Sequence, residues 1–238
     1  MKYTVMKAFL FMICSFFIVA APFIYFPDEK AVLASSFSVD ENSTIILDAG
    51  HGGEDGGAIG AGGIIEKDLN LSITLKTEKL FSLFGYDTVL TRKTDTMTCD
   101  EGLFSQREKK VSDIKNRLSL LEKTPCLCFV SIHQNIFGGD AHGAQVFYGG
   151  KNPGSKALAT ALQSGISNLL QPENHRSIKE SSKDIYILYN AQKPAVLVEC
   201  GFISNSAEAA MLTDENYQSE MAFAIALSSI KHLTEREV

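Results

Sequence analysis

Cysteine is scarce in this chain: five occur in 238 residues, and one of them, Cys14, lies inside an apolar N-terminal run. The remaining Cys99, Cys126, Cys128 and Cys200 are too few to define a disulfide scaffold, and four thiols allow three full pairings among which sequence does not choose. Cys126 and Cys128 are expected to share one face of a buried strand as small hydrophobes. A Cys-x-Cys without a second pair gives poor support for a structural zinc site. Clustered positive charge is missing too. There is no Lys/Arg run, and 22 basic against 28 acidic residues give a net charge of −6. That balance excludes the electrostatic footprint of nucleic-acid binding. Internal repeats and long low-complexity tracts are also absent.

One long apolar run is present. Behind Lys2 and Lys7, residues 8–26 form an uncharged stretch of 19 residues. As a helix it would extend roughly 28 Å, close to a hydrocarbon core of about 30 Å. It reads as an export signal, cleaved near Val32-Leu-Ala34 or retained as an anchor, over residues 1–34. The expectation is therefore an exported protein that meets membrane only through this segment. Removing residues 1–34 takes away three lysines and two acids, which moves the formal charge to −7. Residues 35–43 read as a linker, and 44–238 as one folded domain of a length suited to a single core.

Within that domain three strand-like runs end in chemistry-bearing residues. Thr44-Ile-Ile-Leu-Asp-Ala-Gly-His-Gly-Gly53 stops at His51 among glycines. Cys126-Leu-Cys-Phe-Val-Ser-Ile-His133 ends in a second imidazole, and Ala195-Val-Leu-Val-Glu199 in a carboxylate. Ligands of open α/β sheets lie outside the carboxyl ends of the strands, so one pocket is expected to collect His51, His133 and Glu199.

Helical periodicity alternates with these runs, at Lys67 to Phe84, behind the Ser105-Gln-Arg-Glu108 capping box, from Leu158 to Leu169, and from about Tyr217 to Ile230. Shorter strands are expected at 86–91 and 144–148, and a short strand or extended segment at 185–189. This order predicts an α/β fold, a single domain with a mostly parallel twisted sheet flanked by helices on both faces.

Two imidazoles and a carboxylate from different elements are the donor set of a catalytic zinc site. His51 and His133 stand 82 residues apart, so spacing alone does not specify a metal. The third ligand is open among Asp48, Glu54, Asp55, Glu66, His142 and Glu199. Glu66 is attractive because it precedes a helix, although a lone Glu there is more often a capping or solvated residue. Asp48 is either an outer partner of an imidazole or a strand-end turn former. Asn135 and Arg92 line the groove or hold loops together, and His142 lies in a glycine-flanked loop where substrate contact competes with simple exposure.

Taken in order, Leu-Asp-Ala-Gly-His51-Gly-Gly, Glu66-Lys-Asp-Leu-Asn-Leu, Leu-Thr-Arg92, Ser-Ile-His133-Gln-Asn135 and Val-Glu199-Cys-Gly-Phe-Ile-Ser-Asn205 resemble the successive motifs of zinc-dependent N-acetylmuramoyl-L-alanine amidases of the Amidase_3 type. The resemblance spans about 44–232. It implies that His51, Glu66 and His133 bind Zn2+ and that Glu199 is the catalytic carboxylate. It further implies peptidoglycan glycan strands with stem peptides as substrate, similarity to sporulation members that act in the spore cortex on the way to muramic-δ-lactam, and an exported accessory protein as a candidate partner. Two other readings compete: a thiol hydrolase using Cys200 with His133, and a non-catalytic wall-binding protein on the same fold.

Overall fold

The structure is a computed structural model that describes residues 44–138 and 140–235. The expected export segment and linker lie outside the described residues. Strands β1 (Thr44–Ala49), β2 (Asp87–Leu90), β3 (Cys128–Asn135), β4 (Gln145–Tyr148), β5 (Lys179–Glu180) and β6 (Ala195–Phe202) form one sheet in the order β2-β1-β3-β6-β4-β5. All neighbours pair in parallel except β4 with β6. Parallel strands need a crossover, which α1 (Glu66–Leu83) supplies between the neighbours β1 and β2, while α2 (Gln106–Lys123) carries the chain from β2 past β1 to β3. The later helices are α3 (Pro153–Leu169), α4 (Tyr186–Asn190), α5 (Ser206–Thr213) and α6 (Glu215–Glu235). Among the described residues no helix is long and apolar enough to cross a membrane.

The two faces of the sheet are buried unequally, and strand alternation sorts the side chains between them. Ile45, Leu47, Val130, Ile132, Val196 and Val198 enter the larger core, with Ile73 of α1, Leu158 and Leu162 of α3 and Ile225 of α6. Ile46, Phe129 and Leu197 enter a smaller core with Leu121 of α2 and Leu188 of α4. Each fully buried Leu, Ile or Phe contributes about 1.5–3 kcal/mol relative to exposure. Helices thus cover both faces, as the alternating sequence pattern requires. By the same alternation Asp48, Ser131, His133 and Glu199 fall on the face of the smaller core.

Local signals account for most elements. Ser105 and Glu108 form the expected reciprocal capping box at the start of α2. The segment expected as a strand at 185–189 is instead the short helix α4: Tyr189 N donates to Ile185 O, and Ile185 and Leu188, three apart, both turn into the smaller core. Burial at helical spacing outweighs the β propensity of Tyr and Ile here. Cys126 and Cys128 do not share a face. β3 begins only at Cys128, which joins the larger core, while Cys126 packs against the smaller one. Helix α5 is unforeseen, although Asn205 caps it through bonds from Ala207 N and Glu208 N.

Buried arginines fix the chain where β1 ends. Arg117 of α2, 3% exposed, pairs with Asp48, 1% exposed, and with Asp113. It also donates to the carbonyl oxygens of Ala49 (2.8 Å) and His51 (2.7 Å). Arg92 donates to the carbonyls of Ala49, Gly50, Lys67 and Thr94. Asp48 further accepts from Thr91 and Ser131, and with burial opposed by Arg117 its carboxyl is held below the usual range. Removing one partner of a buried pair leaves the other charge without compensation. We therefore expect Arg117→Ala to destabilise the domain by about 3–5 kcal/mol in urea unfolding; a loss under about 1 kcal/mol would show that the pair does not pin this loop.

Candidate active site

His51 follows β1 by two residues and adopts a left-handed backbone (φ 61°), the only non-glycine among the described residues to do so. Such a conformation costs on the order of 1–3 kcal/mol and persists only where the surroundings enforce it. Here the enforcement is the bond from Arg117 to the His51 carbonyl. The imidazole is held at both nitrogens: Nδ1 lies 2.9 Å from Asp55 Oδ2 and Nε2 lies 3.3 Å from Glu66 Oε2.

Glu66 opens α1 and is 3% exposed. It reaches across the end of the sheet, so that Oε1 accepts from Gln134 N and Asn70 Nδ2 and lies 2.9 Å from His133 Nδ1, while Oε2 accepts from Ala58 N. A carboxylate in the first turn of a helix is also favoured by the helix dipole. His133 comes from within β3, two residues short of its end, and its ring stands 5.0 Å from that of His51 at 74°. Two glycines make the approach feasible. A Cβ on Gly50 would stand 2.3 Å from the His133 ring, and one on Gly57, where φ is +70°, would stand 2.5 Å from Glu66 Oε2.

The electrostatics of this group are tightly balanced. Burial would push the Glu66 pKa up, but bonds from His133 and His51 hold it well below the carboxylate range. Burial likewise opposes a charge on His51, yet Asp55 and Glu66 raise its pKa to about 9. A cation between these groups would take over the compensation that a proton on His51 provides, with release of that proton. Ligand atoms of His51, Glu66 and His133 all lie within 4.8 Å of one another. Two nitrogens and one carboxylate oxygen at that closeness fit the donor set of a catalytic zinc ion, which keeps a further position open.

Glu199 lies in β6, directly beside His133 of β3 on one side and Gln145 of β4 on the other. Rather than ending its strand, as the sequence suggested, it sits within it, and β6 runs on to Phe202. Its Oε2 is buried and has no hydrogen-bond partner among the described residues. Burial raises its pKa to about 7, against the attraction of His133. A cavity of about 280 Å³ opens over these groups, floored by His51, His133 and Glu199 and walled by Ile114 of α2 and Tyr186 and Leu188 of α4.

The other sequence candidates sort clearly. Asp48 turns to Arg117, Thr91 and Ser131 rather than to an imidazole, and Asp55 is the carboxylate on His51. Glu54 is exposed and pairs with Lys109. Arg92 is buried among carbonyls and holds loops together. Asn135 ends β3, where its carbonyl accepts from Ile203 N. His142 is on an exposed loop, bonded to the Asp140 carbonyl, and does not line the cavity. Cys200 belongs to the larger core, on the opposite face from His133, with its thiol pushed far above the ordinary range by burial. That placement removes the Cys200–His133 dyad. Sequence reasoning did not give Arg117 or Gly57 a role; the signal for Gly57 was a paired glycine within reach of a ligand loop.

Residues 45–231 match the N-acetylmuramoyl-L-alanine amidase family. The germination-specific N-acetylmuramoyl-L-alanine amidase of Bacillus subtilis is 33% identical over 193 residues, covering 81% of this chain and 80% of that protein. Among solved structures, the CwlD amidase of Clostridioides difficile in complex with the GerS lipoprotein is 40% identical, with a TM-score of 0.77 over 81% of this chain and 98% of that one. AmiC2 of Nostoc punctiforme, also an N-acetylmuramoyl-L-alanine amidase, is 29% identical with a TM-score of 0.69, again over 81% of this chain and 98% of its own. A match across almost the whole described domain, with the site just described inside it, establishes that the chain belongs to the N-acetylmuramoyl-L-alanine amidase family and is an enzyme of that class.

Proposed function

We propose that this enzyme uses zinc, held by His51, Glu66 and His133, to hydrolyse the amide between N-acetylmuramic acid and L-alanine in peptidoglycan. The observation that carries this reading is the convergence of the three ligand atoms within 4.8 Å beside the unpartnered Oε2 of Glu199. Zinc in such a site lowers the pKa of water toward about 7 and polarises a carbonyl. The protein's own groups do the rest. Asp55 fixes the His51 ring so that Nε2 faces inward, and Gly50 admits the His133 ring against the backbone. Glu199 Oε2 takes a proton from the attacking water as the carbon–oxygen bond forms, then returns it to the alanine nitrogen as the carbon–nitrogen bond breaks. The products are a lactyl carboxylate on the glycan and a peptide with a free L-alanine amine. Ile114, Tyr186 and Leu188 shield one side of the cavity from water.

The setting we propose is extracytoplasmic, in spore cortex maturation, where stem-peptide removal precedes muramic-δ-lactam formation. Support comes from relatives named as germination-specific and sporulation-specific amidases of Bacillus subtilis. The structure of the CwlD amidase in complex with the GerS lipoprotein supports an exported accessory partner for this chain as well.

Three outcomes test the reading. Purified peptidoglycan digested by the zinc-loaded protein should release new L-alanine amino termini by mass analysis, and a strong chelator should abolish that release; undiminished activity in chelator would sink the metal assignment. Glu199→Gln should keep its zinc and its melting temperature while turnover falls about 10²–10⁴-fold, so normal turnover in that variant would remove Glu199 from the reaction. Asp55→Ala should weaken zinc binding about 10–100-fold by competition with a chromophoric chelator, and an unchanged affinity would deny Asp55 its orienting role.

A further inference from the structure

Among the described residues one arginine near the Glu199 strand forms no ion pair: it touches Gln145, the register neighbour of Glu199. Lys67, Lys76, Lys109 and Lys110 are ion-paired with Asp95, Glu215, Glu54 and Asp55, and the donors of Arg117 and Arg92 are engaged by carboxylates and carbonyls. Arg176 is different. Its Nε donates to the His142 carbonyl at 2.6 Å, and Nη1 makes one long contact of 3.4 Å with Gln145 Oε1. Among the described residues no ion pair holds it, although it is half-buried and its guanidinium carbon lies 4.5 Å from the Phe202 ring centre. A guanidinium has five N–H donors. Most of those on Arg176 are therefore uncommitted while the group itself is fixed, which is the condition for bidentate carboxylate binding.

The sheet puts this guanidinium on the working face. Gln145 is the register partner of Glu199 in the antiparallel β4–β6 pair, so their side chains share a face. Gln145 Nε2 donates to Ser177 O, which holds the backbone next to Arg176 against the Gln145 side chain. Phe202 is brought there by a bulge: from His133 to Asn135 β3 advances two residues while β6 advances three, from Glu199 to Phe202. The extra residue lets Phe202 pair with Asn135 on the side that carries His133. Arg176 thus lies over Phe202, further along the strand of Glu199, and against Gln145 of the neighbouring strand. Strands are about 4.8 Å apart and two register steps advance about 7 Å. The offset is therefore roughly 8 Å, about two to three residues of an extended chain at about 3.4 Å per residue.

We propose that Arg176 is a specificity residue that binds a free carboxylate on the stem peptide, the α-carboxylate of the residue after L-alanine. This rests on the amidase reading above. In peptidoglycan that second residue is a D-glutamate joined onward through its side chain, which leaves its α-carboxylate open unless it is amidated. A charged fork at this position recognises the acid and loses its partner in the amide.

The test uses the full chain loaded with zinc and two glycan–peptide substrates that differ only at this group, D-glutamate or D-isoglutamine. For the native protein, kcat/KM should fall about 10–100-fold from acid to amide, the worth of one charge-assisted interaction. Arg176→Ala should lose a similar factor on the acid substrate and little on the amide, which abolishes the preference. Arg176→Lys should retain part of it and serves the same comparison should the alanine variant fold poorly. Zinc content and melting temperature are read alongside. Equal rates of the native protein on both substrates, or an equal loss on both in Arg176→Ala, would overturn the assignment. Cleavage of neither substrate by the native protein would defeat the amidase reading and this inference with it.

Discussion

The pairing of Arg117 with Asp48 beneath the sheet end is the constraint on which the site depends. Asp48 is the last charged residue of β1 and is buried, so it requires a buried cation, and α2 supplies one from 69 residues away in sequence. Once there, the guanidinium has donors to spare, and it spends them on the carbonyls of Ala49 and His51. Arg92 adds bonds to Ala49, Gly50 and the Lys67 carbonyl at the start of α1. The loop that carries His51 and the helix that carries Glu66 are thereby tied to the same pair of guanidinium groups. A left-handed histidine is tolerable only in such a frame.

The sheet then divides labour between its faces. The larger face buries aliphatic side chains against α1, α3 and α6 and supplies most of the apolar stabilisation. The smaller face keeps polar groups at the level where β1, β3 and β6 meet, so Asp48, His133 and Glu199 come into one layer. Glu66 crosses from the helix on the larger face to join them. Alternation also explains why adjacent residues in Glu199-Cys200 differ so sharply: the carboxylate faces the cavity and the thiol is inert in the core. The bulge after Glu199 is a second use of the same rule, since it returns Phe202 to the working face under Arg176.

Much of this was legible in the sequence because strand period and glycine placement are local signals. The apolar runs ending near His51, His133 and Glu199 located three of the four groups, and the alternating elements gave the fold class. The identity of Glu66 as the third member did not follow from spacing; it came from resemblance, because a carboxylate opening a helix has a common capping role. The structure separates it from Asp48, Glu54, Asp55 and His142 by proximity to both imidazoles. What the sequence hid were long-range choices. Asp48 and Asp55 flank His51 at comparable distance along the chain, and only the arrival of Arg117 decides which one serves the imidazole. The 185–189 segment looked like a strand because its β propensity is local, whereas the core that Leu188 fills is assembled from α2 and three strands.

We have proposed that His51, Glu66 and His133 together hold a zinc ion. Diffraction from crystals of the zinc-loaded protein on both sides of the zinc absorption edge tests it directly. The account predicts one strong anomalous peak bonded to a nitrogen of each histidine and an oxygen of Glu66 at about 2.0–2.2 Å, with Glu199 beside it and unbonded. A peak at cysteine sulfur, a peak bonded to Asp48 or Asp55 in place of Glu66, or no peak in this cavity would contradict it.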